Sequence, residues 1–543
     1  MTSVVSAAYM SSPMKRTAIL LCLVLIVGFG LFYKLGAVPL ADPDEPRYAE
    51  SGREMIELGS YMVPYFNYEP RINKPVLYYW SICASYMALG VSEFSARLPS
   101  ALAALAVMIV AFFFMNRFCG LAAAALSCLI MGSSPLFFVP GRLSMPDMVL
   151  GLFMVLSLFS FYLGWQEQNQ SSKKRWYLLF YFFQVVAAWI KGPIGILIPL
   201  AVAAASLWLT RDLQELKALR LAWSIPLVLV ASVPWYAYIY FCVDQSTMAA
   251  MSTKETVGRI FGSSGHVFDP LYFYFIVVLP GIFPWTFLLP WALYKRFRML
   301  EPSRLRTFLE VWFVFVFVFF TLCAIKKPQY VVMLSCVFAA WLATVVTDAL
   351  RVSSGRRDIG LIVSLFVFLA VSIVGASRGF TWLSKNQPDL IVGGMGIGLT
   401  LIVPALASVW LAARGHARSA LVALSLVTLL SLVPAVSYGT AWVEKQHSIK
   451  AFLQENEAVI SRATEIYAGV KIFNGLPFYL RRQVVMDTEE ELLVQKLQGT
   501  ARCLVFTSDK RYNHNRELFA PYLTAAKYGK VLLSNFAAKG VAP

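Results

Sequence analysis

Apolar stretches of membrane-crossing length recur along most of this 543-residue chain, and that recurrence decides which solvent the protein folds in. A helix needs about 20 such residues to cross a hydrocarbon core of roughly 30 Å. The runs lie near 17–38, 98–116, 121–140, 148–165, 176–190, 193–210, 220–241, 271–294, 308–324, 329–347, 359–376, 390–412 and 418–438, about thirteen in all. With 58% hydrophobic and only 14% charged residues, the expected architecture is an all-α polytopic membrane protein. The first run follows Lys15 and Arg16 and lacks a clear small-residue cleavage site, so it reads as a span and not as a signal peptide.

Orientation follows from the basic residues of the short loops. Lys173, Lys174, Arg175, Lys295, Arg296, Arg298, Arg351, Arg356, Arg357, Arg414 and Arg418 fall in loops that are cytoplasmic if the N-terminus is, whereas the short outer loops hold far fewer cations. An odd number of spans then puts the first large loop (39–97), a second (242–270) and the C-terminal tail on the outer, periplasmic face. From about residue 440 the hydropathy falls, and short strand-like runs (Glu465-Ile-Tyr-Ala, Gln483-Val-Val-Met, Arg502-Cys-Leu-Val-Phe-Thr) alternate with helical ones. The expected division is a membrane domain over 1–439 and a small α/β domain over 440–543.

The formal net charge of +17 comes from residues scattered between apolar segments, with no basic stripe. Membrane lipids and phosphorylated lipids are therefore the expected partners, and nucleic acid is not. The eight cysteines form no C-x-x-C pair, which speaks against a disulfide framework and a zinc-thiolate site.

Charge is gathered in one place, the first loop. Asp42-Pro-Asp-Glu-Pro-Arg-Tyr-Ala-Glu50 is followed by Arg71-Ile-Asn-Lys-Pro-Val-Leu-Tyr-Tyr-Trp80. Asp42 or Asp44 can cap a helix over about Glu45 to Leu58, with Tyr48, Gly52, Met55 and Ile56 on one face and charges on the rest, which predicts an amphipathic helix on the membrane surface. Pro75 suits the first turn of a second helix, whose free N–H groups beside Arg71 and Lys74 would cradle a phosphate. Three short outer turns add Asp147, Lys191 and the Lys326-Lys327-Pro-Gln-Tyr330 stretch to the same face. Taken singly, each of these is ordinary interfacial anchoring or helix capping; together they put a pair of carboxylates and several cations on the same face as the first loop.

The ordered set Asp44-Glu45-x-Arg47-Tyr48-Ala49-Glu50, Asn73-Lys74-Pro75, Tyr79-Trp80, Ala96-Arg97-Leu98-Pro99-Ser100, Pro146-Asp147, Lys191-Gly192-Pro193 and Pro328-x-Tyr330 resembles the bacterial aminoarabinose transferases that modify lipid A, within the protein O-mannosyltransferase-like superfamily. Gly475-Leu-Pro-Phe-Tyr-Leu-Arg481 looks like that group's outer C-terminal domain. The resemblance implies a GT-C fold with thirteen spans and an inverting transfer from a polyprenyl-phosphate (undecaprenyl-phosphate) sugar donor to lipid A or to another glycan or protein acceptor. It further implies catalytic carboxylates at Asp44, with Glu45 beside it, and at Asp147. The positions matching Arg47, Lys74, Lys191, Arg259 and Tyr330 are those expected to meet the donor's phosphate and sugar.

One position departs from the family pattern. Where Glu-Lys-Pro is usual this chain has Asn73-Lys74-Pro75, and that Glu can share a metal ion with a histidine matching His266. An amide is a poor zinc ligand beside a carboxylate. No cofactor is firmly expected, and a zinc, magnesium or manganese ion at His266 stays open. Two alternatives stay open as well: a protein O-mannosyltransferase-like enzyme acting on a protein or glycan hydroxyl, and, from another class, a lipid flippase or transporter. Transporters commonly keep ionisable residues within their spans, and these spans hold almost none.

Overall fold

The computed structural model describes residues 13–243, 269–352, 357–447, 449–469, 473–486, 489–527 and 529–536. Among these, nine helices are long and apolar enough to cross a membrane, from Pro13–Phe32 to Ala417–Thr440. Two further runs are bent pairs, Leu121–Gly132 with Pro135–Gly141 at 65° and Phe273–Gly281 with Trp285–Arg298 at 100°. Both break where proline or glycine interrupts the backbone ladder, at Gly132/Pro135 and at Pro280/Gly281/Pro284. The fifth and sixth expected runs are the helices Gln170–Lys191 and Ile194–Leu209. Every one of the thirteen apolar runs thus coincides with a helix or a bent pair.

The chain forms two compact units. The first takes residues up to Tyr33, Asn73–Tyr78 and Pro99–Tyr438; the second takes Lys34–Ile72, Tyr79–Leu98 and the chain from Gly439. The first large loop therefore folds with the tail, whereas the division expected from hydropathy grouped it with the spans. Hydropathy records which segments tolerate lipid, and it carries nothing about which polar segments pair.

In the first unit the most enclosed span is Pro328–Val352, 94% buried over its most apolar window. Rings fill the layer around the neighbouring helices. Phe114 and Phe159 stack with centroids 3.7 Å apart, and Phe159 meets Trp312 edge-on at 5.9 Å.

The second unit is built on a five-stranded sheet. Strands β1 (Tyr65–Phe66) and β2 (Glu69–Pro70) form a separate hairpin; β3 (Glu465–Ala468), β4 (Val485–Met486), β5 (Cys503–Ser508), β6 (Leu523–Lys527) and β7 (Lys530–Ser534) make the sheet in the order β4-β3-β5-β7-β6. β3 is parallel to both its neighbours, while β7 is antiparallel to β5 and β6. Successive residues of a strand point to opposite faces. Ile466, Leu504, Phe506 and Leu532 accordingly join one apolar cluster, with Phe452 and Leu476, while Tyr467, Cys503, Val505, Val531 and Leu533 join another, with Leu493 and Phe519. A sheet covered on both faces reads as continuous apolar runs, which is how β5 reads.

Candidate active site

In the first unit three residues distant in sequence converge. Asp147 lies in the first turn of the helix Pro146–Gln166, where proline is tolerated because its missing N–H would have had no partner within the helix. Lys191 is the last residue of Gln170–Lys191, which stops because Gly192 adopts φ +83°. The backbone conformation favours glycine there, and a Cβ would stand 2.9 Å from Tyr236 Oη, whose side chain would have to shift. Tyr330 sits in the short helix Pro328–Val331. Lys191 Nζ is ion-paired with Asp147 and lies 4.3 Å from the centre of the Tyr330 ring. Asp147 and Tyr330 are buried, so this ammonium is held between a carboxylate and a ring face in a poorly screened setting.

The turn that presents Asp147 is pinned from several sides. Ser100 Oγ donates to the Met145 carbonyl at 3.0 Å, and the hydroxyls of Tyr78 and Ser144 are 3.4 Å apart. Arg142 Nη1 donates to the carbonyls of Gly30 (2.6 Å) and Leu31 (2.9 Å), which the end of the first span would otherwise leave without intrahelical donors. Lys74 is buried, and the following helix starts at Leu77, two residues beyond the expected Pro75. Lys326 serves the backbone: its Nζ donates to the carbonyls of Asp269 and Cys323, both at 2.8 Å.

The second unit carries the other half of the motif set. The helix runs Asp44–Glu57 with Pro43 at the cap position and no side-chain cap hydrogen bond, so neither Asp42 nor Asp44 is the cap that the sequence suggested. Asp44 is half-buried and lies 3.9 Å from Arg47, one turn on. Arg47 Nε in turn donates to Asn474 Oδ1 at 3.1 Å. Glu45 is fully buried, and its carboxylate accepts from Arg97 Nε (2.9 Å), Arg97 Nη2 (2.8 Å) and the Ala41 N–H (2.8 Å). Its oxygens are thereby committed to holding the loop.

Several charges of this helix find partners within the fold. Glu50, Arg53 and Glu54 are buried, and Arg53 donates to both Glu50 oxygens at 2.8 Å and pairs with Glu57. A helix whose charged face finds partners within its own fold has the same sequence pattern as one lying in headgroups. Glu54 Oε2 accepts from the Tyr68 N–H at 3.0 Å, while Oε1 makes no hydrogen bond and lies 3.8 Å from Arg53. Burial, reinforced by the Glu50 charge, pushes the Glu54 carboxyl up to about 8. Its folded value lies above the unfolded one, so its contribution to stability is complete below the unfolded value and is lost as pH rises through about 8. Glu54→Gln, which keeps the shape of the protonated acid, is expected to flatten the fall in melting temperature between pH 5 and pH 9. An unchanged slope would show that Glu54 is not the group responsible.

Arg259 and His266 lie outside the described residues. Among the described residues no group of three or more His, Cys, Asp or Glu side chains is arranged to hold a metal ion. Sequence reasoning quoted Arg97 only as part of a motif and missed Asn67 altogether. Asn67 adopts φ +59° and pairs through both amide atoms with the backbone of Val484, at 2.6 and 2.8 Å. The signal available for Asn67 was its residue type, since asparagine tolerates the left-handed region better than most.

A bundle of this many spans, with carboxylates and cations at the ends of its helices and a small mixed sheet, has the architecture of a membrane-embedded glycosyltransferase of the GT-C kind. Residues 17–247 match the family model described as dolichyl-phosphate-mannose-protein mannosyltransferase. An uncharacterised protein of Aquifex aeolicus is 26% identical over 95% of this chain and 98% of its own. The undecaprenyl phosphate-alpha-4-amino-4-deoxy-L-arabinose arabinosyl transferase of Aeromonas salmonicida is 27% identical over 84% of each chain. The crystal structure of ArnT from Cupriavidus metallidurans bound to undecaprenyl phosphate superposes with a TM-score of 0.77 at 21% identity, over 97% of this chain and 99% of that one. The chain thus shares the GT-C fold of that enzyme and is similar in sequence to polyprenyl-phosphate-dependent glycosyltransferases.

Proposed function

We propose that this protein moves a sugar from undecaprenyl phosphate to lipid A on the periplasmic face of the inner membrane, with inversion at the anomeric carbon. The observation that carries the reading is the Asp147–Lys191–Tyr330 cluster, in which a half-buried cation from one turn is held by a carboxylate and a ring from two others. The similarity to transferases named for an undecaprenyl-phosphate sugar supports it.

The chemistry needs little from the protein beyond positioning and charge. The acceptor oxygen attacks the anomeric carbon from the side opposite the phosphate, the glycosidic C–O bond to phosphate breaks, and the prenyl phosphate departs with the electron pair. Such a leaving group is a stable anion, so cations at its oxygens stabilise the transition state more than a general acid would. We assign that task to Lys191 and Lys74, with Arg47 and Arg259 in support, and assign donor positioning to Tyr330. Asp44 is the carboxylate facing the acceptor and Asp147 orients Lys191, while Glu45 acts through Arg97 on the position of the loop. A hydroxyl acceptor gains roughly 10² to 10⁴ from Asp44 as general base. A lipid A phosphate is already ionised and uses the carboxylates for alignment.

The match of residues 17–247 to a protein mannosyltransferase model favours a second reading, transfer to a protein hydroxyl. Purified protein given labelled undecaprenyl-phosphate sugar and either lipid A or an acceptor peptide separates the two. In the same assay Lys191→Ala and Lys74→Ala are each expected to weaken donor binding about tenfold, which corresponds to about 1.4 kcal/mol. Donor affinity unchanged in both variants would leave these lysines as membrane anchors and would remove the main support for the reading.

A further inference from the structure

A second site lies at the opposite end of the bundle. A cavity of about 220 Å³ opens between the first turns of Leu121–Gly132, the last turns of Met333–Val352 and the start of Ala417–His447. Its walls are aliphatic, including Ala125, Leu129, Val346 and Leu421, and its rim carries Arg351 and Arg418. All three helix ends join loops that the distribution of basic residues places in the cytoplasm. The helix Met333–Val352 carries Tyr330 just before its start and Arg351 near its end, so at 1.5 Å per residue roughly 30 Å separate the two sites.

We propose that this cavity binds an anionic phospholipid of the cytoplasmic leaflet, with an acyl chain against the aliphatic walls and the phosphate on Arg418 and Arg351. Shape and charge point to the same occupant. The groove is too apolar for a soluble anion, and its mouth is too cationic for a zwitterionic lipid to be preferred. Arg351 lies 3.2 Å from Asp348, but that carboxylate also serves Arg306 at 2.9 Å. Arg306 and Arg351 thus share the Asp348 carboxylate, and Arg418 stands with Arg351 on the cavity rim. Arg418 is exposed and makes no ion pair among the described residues. A phosphate at the membrane surface would complete this set, and basic pockets between helices on the cytoplasmic side commonly take such headgroups.

The test uses the full-length protein in nanodiscs that contain phosphatidylcholine with or without phosphatidylglycerol, with retained lipid counted by native mass spectrometry. Wild type is expected to retain phosphatidylglycerol in preference to phosphatidylcholine, and the preference should fall about fivefold in Arg418→Gln. Ala125→Leu fills the groove without altering charge and should reduce retention of both lipids. Arg298→Gln, which removes an exposed cytoplasmic cation elsewhere, should change nothing. A preference that survives Arg418→Gln, or that falls as far in Arg298→Gln, would overturn the site, because general attraction to a basic face would then explain the binding. Retention of both lipids undiminished in Ala125→Leu would likewise overturn it.

Discussion

Asp44→Asn is expected to reach the membrane folded and to lose sugar transfer by about a hundredfold or more. The two halves of that expectation have separate grounds. Asp44 opens the helix Asp44–Glu57, with Pro43 at the cap position and no side-chain cap bond, so the roughly 1 kcal/mol lost with a capping side chain is not at stake. What the substitution removes is a negative charge in the first turn, worth about 0.3–1 kcal/mol to a helix, and the 3.9 Å pairing with Arg47. Arg47 keeps its bond to Asn474, so its guanidinium stays anchored. Turnover of labelled donor, measured beside the melting temperature of the same preparation, decides the matter. Near wild-type turnover would move the acceptor-facing role away from Asp44.

The largest stability effect is expected at a residue with no assigned part in the chemistry. Arg97 is 3% exposed, and its five N–H groups make five hydrogen bonds: two to Glu45, and one each to the carbonyls of Leu35, Val38 and Pro39. Nothing in the guanidinium is left over. Arg97→Ala strands a fully buried Glu45 and three carbonyls, and breaking a buried pair by removing one partner costs about 3–5 kcal/mol. Arg97→Lys should recover little of this, because an ammonium has three donors and cannot form the two parallel bonds to a carboxylate. Loss of yield and a lowered melting temperature in both variants is the expected result. Wild-type melting of Arg97→Lys would show that the charge alone holds the loop.

Much of this is legible in the sequence alone. The spans were readable because lipid demands a long apolar run for each crossing, and the bent pairs kept that run even where Gly132 and Pro280 broke the helix. The positions of Asp147, Lys191 and Tyr330 were readable because charge and hydroxyl are conspicuous in short turns between spans. That these three turns meet was not, since hydropathy has no term for which helix ends are neighbours. The Arg97 staple was hidden for a related reason: three of its partners are backbone carbonyls, which every residue possesses. β6 and β7 were missed because Leu523-Thr-Ala-Ala-Lys527 and Lys530-Val-Leu-Leu-Ser534 are short, and the former has little of the β-branched character that marks a strand.

The Asp147–Lys191 pair bears on how one catalytic round follows another. On the proposed assignment of Lys191 to the donor phosphate, an arriving phosphate would compete with Asp147 for that lysine, so the donor would enter by anion exchange and not by filling a bare positive hole. The same competition runs in reverse once the sugar has left. On the same assignment the spent lipid phosphate would face a tethered carboxylate that never diffuses away, and release would be the return of Asp147 to Lys191.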